Sequence, residues 1–276
     1  MYLVSGIQRT GSSLIMNMAN EAGFPVYGKK FPKDWEQTRT EKSKDNQQNP
    51  SVTGFWESMA NVDAGVNNQT TKHLPNRVRN HFIKIFAVGI PRTDLAYIDK
   101  VILCVRNWRK QVQSWRKVFI YNVFKNTNVK IDDLKYPYGV EYCIKYAQII
   151  FDYVKRNYEM ITIDFDELIS KPTETCDNIR GFIGCGRWDL ARKLVDSTHN
   201  HHKKEKPISQ DKEFKEGFFS FMDRLYLGLK SGKLPPELIR DVQYWNKECR
   251  SKIDEINEEW DIAQAEKEKE AANEQN

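Results

Sequence analysis

The first strand and the turn after it constrain this chain more than any other stretch: Val4-Ser5-Gly6-Ile7-Gln8-Arg9-Thr10-Gly11-Ser12-Ser13-Leu14-Ile15-Met16. An apolar strand runs into a glycine-flanked loop and then into a hydrophobic helix, the geometry that aims backbone N–H groups and a helix N-terminus at an anion. Four residues separate Gly6 from Gly11, the spacing of a phosphate-cradling loop, but Ser12 stands where nucleoside-triphosphate loops carry a lysine. That lysine reaches the outer phosphates. A loop without it suits a shorter anion and takes its cation from elsewhere, and Arg9 inside the loop can supply it. A nucleotide kinase, or a glycine turn that serves only strand-to-helix packing, gives a similar string.

The remaining pattern predicts an α/β fold, a parallel β-sheet flanked by helices on both faces with a helical C-terminal third. His81–Val88, Lys100–Val105 and Met160–Asp164 read as buried strands, and helical patterns near Trp108–Phe124 and Tyr138–Arg156 separate them. Pro235-Pro236 opens a long helix after the Lys230-Ser231-Gly232-Lys233 turn. The 276 residues suit a single domain over 1–262, with a charged tail over 263–276 expected to fray. The polar, lysine-rich stretch 28–53 reads as a mobile loop or lid.

A net charge of +5 favours a polyanionic small ligand and falls short of a nucleic-acid binder. Five cysteines without a C-x-x-C pair predict reduced, structural thiols rather than a disulfide framework or zinc knuckle. The run His199-Asn200-His201-His202-Lys203-Lys204 has no second ligand group at metal-binding spacing, so it reads as a basic loop, and no metal is expected. Met1 and Tyr2 lead almost directly into the first strand, and no stretch reaches about 18 consecutive apolar residues. The expectation is a soluble, cytoplasmic protein with no membrane partner.

Arg9-Thr10-Gly11-Ser12-Ser13, a basic residue, a hydroxyl residue, glycine and two more hydroxyl residues, resembles the 5′-phosphosulfate loop of the sulfotransferases. Those enzymes use 3′-phosphoadenosine 5′-phosphosulfate, PAPS, as sulfuryl donor. The resemblance is to the bacterial and tyrosylprotein types and covers residues 2 to 185 in scattered blocks. An Arg at the end of a central strand and a Ser eight residues on bind the donor's 3′-phosphate in that family, and Arg106 and Ser114 have that spacing. The segment from Ile161 to Lys171, followed by a helix ending Phe182-Ile183-Gly184, resembles the family's next strand, turn and helix, with Phe165 in place of an aromatic hydroxyl residue against the donor nucleoside. Asn49-Pro50-Ser51-Val52-Thr53-Gly54-Phe55-Trp56-Glu57 is similar to the stretch whose Glu is a proposed general base, which makes Glu57 the first choice, with His81 holding a minor claim.

The resemblance further implies that Lys203 and Lys204 close over the 3′-phosphate, and that Leu14 occupies the place of a missing aromatic. Lys84 is either a second cation at the transferring group or a strand lysine turned to solvent. The catalytic expectation is therefore Glu57, Arg9 and Lys84, acting on a small-molecule, glycan or peptide acceptor; Trp35, Tyr136 and Tyr138 fit a sugar, a phenol or a peptide equally well. Two alternatives stay open: a kinase using ATP–Mg²⁺, for which Asp164 is the carboxylate at a strand end, and a nucleotide-binding relic without turnover.

Overall fold

Alternation along the strands decides the layers. In a computed structural model, residues 1–31, 55–58, 60–123, 136–195 and 208–274 are described. The strands are β1 (Tyr2–Gly6), β2 (Lys29–Phe31), β3 (Phe55–Glu57), β4 (Phe82–Phe86), β5 (Lys100–Val105) and β6 (Glu159–Asp164). Four of them make an all-parallel sheet in the order β4-β1-β5-β6, while β2 and β3 form a separate antiparallel pair. Tyr2, Val4, Phe82, Ile102, Cys104 and Ile163 pack into one core, and their neighbours Leu3, Ile83, Ile85, Val101, Leu103 and Val105 pack into another on the opposite face. Successive side chains of a strand point to opposite faces, so this period-2 division is what a doubly covered sheet requires.

The first core is closed by α1 (Ser12–Glu21), and the second begins at α2 (Trp108–Val123) and α3 (Val140–Arg156). After β6 come α4 (Phe165–Ser170), α5 (Pro172–Ile183) and α6 (Trp188–Ala191), the last two on the α1 face. The C-terminal part is helical, α7 (Phe218–Ser231) and α8 (Pro236–Glu274), packed on the α3 face. The expected α/β class is thus observed. Boundaries shift modestly: the predicted strand 81–88 ends at Phe86, and Ala87–Gly89 makes a 3₁₀ turn.

Two stretches differ from expectation in kind. Lys29–Phe31, within the loop expected over 28–53, pairs with Phe55–Glu57 and so carries Glu57 at the end of a strand; residues 32–54 lie outside the described residues. The α8 backbone stays helical to Glu274, past the point where fraying is expected, in a stretch rich in the strong helix formers Ala, Glu and Lys. All five cysteines are free thiols, four of them buried, and burial pushes the Cys104 thiol up to about 12. Such a thiol is a packing group and not a nucleophile. Among the described residues no helix is long and apolar enough to cross a membrane.

Candidate anion and group-transfer site

The loop between β1 and α1 sits at the carboxyl edge of the sheet with β4 on one side of its strand and β5 on the other, a switch point where open α/β sheets bind ligands. Its backbone alternates in hand: Gly6 has φ +145°, Arg9 φ +71° and Gly11 φ +90°. This curls the chain into a concavity and leaves Gly11 as the N-cap of α1, from which the N–H groups of Leu14 and Ile15 reach the Gly11 carbonyl at 2.9 and 3.2 Å. The first N–H groups of a helix have no intrahelical acceptor and favour an anion. Thr10 and Ser12 are buried, and the Thr10 hydroxyl donates to the Ile7 carbonyl at 2.7 Å, tying the turn to itself. Two residues that the sequence reading missed anchor it from outside: Gln111 on α2 donates to the Gln8 carbonyl at 2.8 Å, and Lys145 on α3 donates to the Gln8 side chain at 3.4 Å. Gln111 lies one turn before Ser114 on the same helix, which is the signal that could have found it.

Arg9, Arg106 and Ser114 converge on one flank of this loop. The Arg9 Nε donates to the Ser114 hydroxyl at 3.0 Å, and the Arg106 guanidinium donates to the Arg9 carbonyl at 3.4 Å. Arg106 and Ser114 are 3% and 1% exposed, so the cation and the hydroxyl are fixed before any ligand arrives. The Arg106 guanidinium lies 4.7 Å from the Phe165 ring centroid, and a Cβ on Gly11 would fall 2.5 Å from the same ring. Phe165 therefore supports the loop and the guanidinium; its role against a nucleoside remains an implication of the resemblance.

The other flank holds Lys84 and Glu57. Lys84 shares the face of Phe82 in β4, which turns it toward the start of α1, and it is buried rather than turned to solvent. Its ammonium pairs with the Glu57 carboxylate and also donates to the Ser13 hydroxyl at 3.2 Å. One ammonium thus joins the loop's last hydroxyl residue to the expected base. The ring of Phe86 lies 4.8 Å from the same ammonium. On the α2 side a small cleft of about 20 Å³ opens beside Ile7, lined by Trp115, Arg116, Pro137, Glu141 and Lys145 among others.

The set gathers three cations and their hydroxyl partners around one loop: Arg9 within it, Arg106 with Ser114 on one flank, and Lys84 with Ser13 on the other. His81 does not join it. It precedes β4 at the amino edge of the parallel sheet, where its carbonyl accepts from Tyr2 N, and the loop lies at the carboxyl edge. His81 is therefore placed away from the loop and from Glu57, contrary to its expected minor part as base. Lys203 and Lys204, with His199, His201, His202 and Trp35, lie outside the described residues.

Asp164 has a structural job that the sequence reading left open. It accepts from Glu167 N at 3.0 Å as the N-cap of α4 and from the Tyr226 hydroxyl at 2.8 Å. Each carboxylate oxygen thus accepts one hydrogen bond, which gives Asp164 the job of capping α4 and holding Tyr226. Among the described residues no group of three His, Cys, Asp or Glu gathers at metal-binding distance. Burial holds the Asp164 carboxyl above its ordinary value of 3.8. A raised carboxyl binds its proton more tightly folded than unfolded, so its contribution to stability falls as pH rises through the raised value. Asp164→Asn keeps a capping oxygen and a partner for Tyr226 while removing the titration. Between about pH 3.5 and 6 the slope of the urea midpoint against pH is expected to be more positive for this variant than for the native chain, because a contribution that falls with pH has been removed; an unchanged slope would place the titration elsewhere.

No family model matches the chain, and no curated protein matches it.

Proposed function

We propose that this chain is a sulfotransferase that moves a sulfuryl group from 3′-phosphoadenosine 5′-phosphosulfate to a hydroxyl or amine of an acceptor by in-line displacement. The observation that carries this reading is the convergence on one loop of a guanidinium and hydroxyl flank, Arg9, Arg106 and Ser114, and a flank of a buried ammonium, Lys84, with a partly buried carboxylate, Glu57. Bound in the site, the donor supplies an activated sulfur whose bond to the phosphate oxygen breaks as the bond to the acceptor oxygen or nitrogen forms. Loop N–H groups and Arg9 hold the phosphate that leaves; Arg106 and Ser114 hold the 3′-phosphate. Lys84 balances charge on the outer sulfonate oxygens, and Glu57 takes the proton that the acceptor gives up. The chemistry of group transfer between anions is chiefly positioning and charge stabilisation, which is what these residues are arranged to do.

A second reading is supported by the same pair. Glu57 already holds a cation at rest, and a carboxylate fixed in an ion pair also suits a protein that binds the nucleotide without turning it over. Donor labelled in its sulfuryl group, offered with pools of phenols, monosaccharides and tyrosine peptides, separates the two. Label is expected to move to one acceptor class in the presence of the chain. Donor that binds but never passes label to an acceptor or to water assigns the chain to binding alone.

A further inference from the structure

We infer that the Lys84–Glu57 pair is a charge filter, selecting a terminal group with one negative charge over one with two; this rests on the donor reading above. Lys84 is 5% exposed and the Glu57 side chain 13%, so water screens the pair weakly. The ammonium is the bridge between Glu57 and Ser13, a residue in the first turn of α1. A group seated at Ser13 must therefore share its cation with a carboxylate that is already there. Lys29, which faces Glu57 across the β2–β3 pair, is exposed and adds little to the buried balance.

A sulfuryl group brings a single charge spread over three oxygens and can share one ammonium. A terminal phosphoryl group brings a second charge above its pKa of about 6, and that charge meets Glu57, whose ion pair among the described residues is with the same Lys84. Like charges a few ångströms apart in a partly dehydrated site repel strongly enough to change affinity by about tenfold or more. Glu57 is in this sense the repulsive element: it acts against phosphoryl donors of the same nucleotide, in addition to any part as base.

The matched ligands are PAPS and adenosine 3′-phosphate 5′-diphosphate, which differ in the terminal group. Calorimetric titration of each without metal, at about pH 8 so that the terminal phosphate carries its second charge, is expected to show the native chain favouring PAPS by about tenfold or more. Glu57→Gln is expected to tighten the diphosphate selectively and reduce that preference to about threefold or less. Glu57→Gln combined with Lys84→Gln removes both charges and avoids a lone buried ammonium; it is expected to bind both ligands without preference. Equal affinities in the native chain, or a preference that survives Glu57→Gln, overturn the filter and leave the donor site standing. Binding of neither ligand overturns the donor site, and the filter with it. The native-chain comparison needs no variant to fold.

Discussion

Arg106→Ala is expected to weaken binding of 3′-phosphoadenosine 5′-phosphate, the product of the donor, by about a hundredfold or more while leaving a folded chain. Arg106 is the most constrained cation of the site: 3% exposed, donating to the Arg9 carbonyl at 3.4 Å and lying 4.7 Å from the Phe165 ring centroid. Truncation removes the planar fork and also slackens the hold on Arg9, whose Nε meets Ser114 at 3.0 Å. The loss in stability is expected to be on the order of 1 to 3 kcal/mol, from losses that include the hydrogen bond to Arg9 and the cation–π contact with Phe165. Arg106→Lys keeps the charge but loses the fork, so it is expected to recover the fold and only part of the affinity. Calorimetry reads the binding and urea denaturation the stability; a variant that binds as the native chain does would remove Arg106 from the site.

Gly6→Ala is the larger perturbation of the fold. Gly6 holds φ +145°, a conformation that L side chains rarely adopt, and a Cβ there would lie 2.5 Å from the Cys104 carbonyl oxygen and 3.0 Å from the Thr10 hydroxyl. The first neighbour is backbone of β5, paired with β1 at the register Gly6 to Cys104, and cannot rotate away. The change is expected to cost on the order of 3 kcal/mol or more and to abolish nucleotide binding, because the strands must part where the loop begins. Gly11→Ala is a useful contrast: its Cβ would meet the Phe165 ring at 2.5 Å, a side chain that can yield, so Phe165→Leu in the same chain is expected to restore part of the loss. Urea midpoints of the single and double variants test this; equal costs for Gly6→Ala and Gly11→Ala would contradict it.

The sequence made the scaffold legible because its signals are local. Alternation of apolar strands with helical patterns, and two glycines bounding a turn, sufficed to place β1, the loop and α1. Ser114 was paired with Arg106 through the resemblance to the sulfotransferases, whose strand-end Arg and helix Ser share that spacing. What stayed hidden depends on contacts across the chain. Whether Lys84 faces solvent or α1 follows from which face of β4 the helix covers, and Glu57 reaches it only through the β2–β3 pair, 27 positions away in sequence from Lys84. His81 looks close to the site in sequence, yet strand direction puts it at the opposite edge. Asp164 was readable in part: Asp164 followed by Glu167 is a helix-start pattern, but its bond to Tyr226 on α7 is not written locally.

The claim that this loop is a donor site is tested most directly by calorimetric titration of 3′-phosphoadenosine 5′-phosphate onto the native chain in metal-free buffer, with ATP–Mg²⁺ titrated in parallel. The account predicts one-to-one binding of the bisphosphate without metal and much weaker binding of ATP–Mg²⁺. No heat from the bisphosphate, together with saturable binding of ATP–Mg²⁺, would contradict it and return the loop to the kinases.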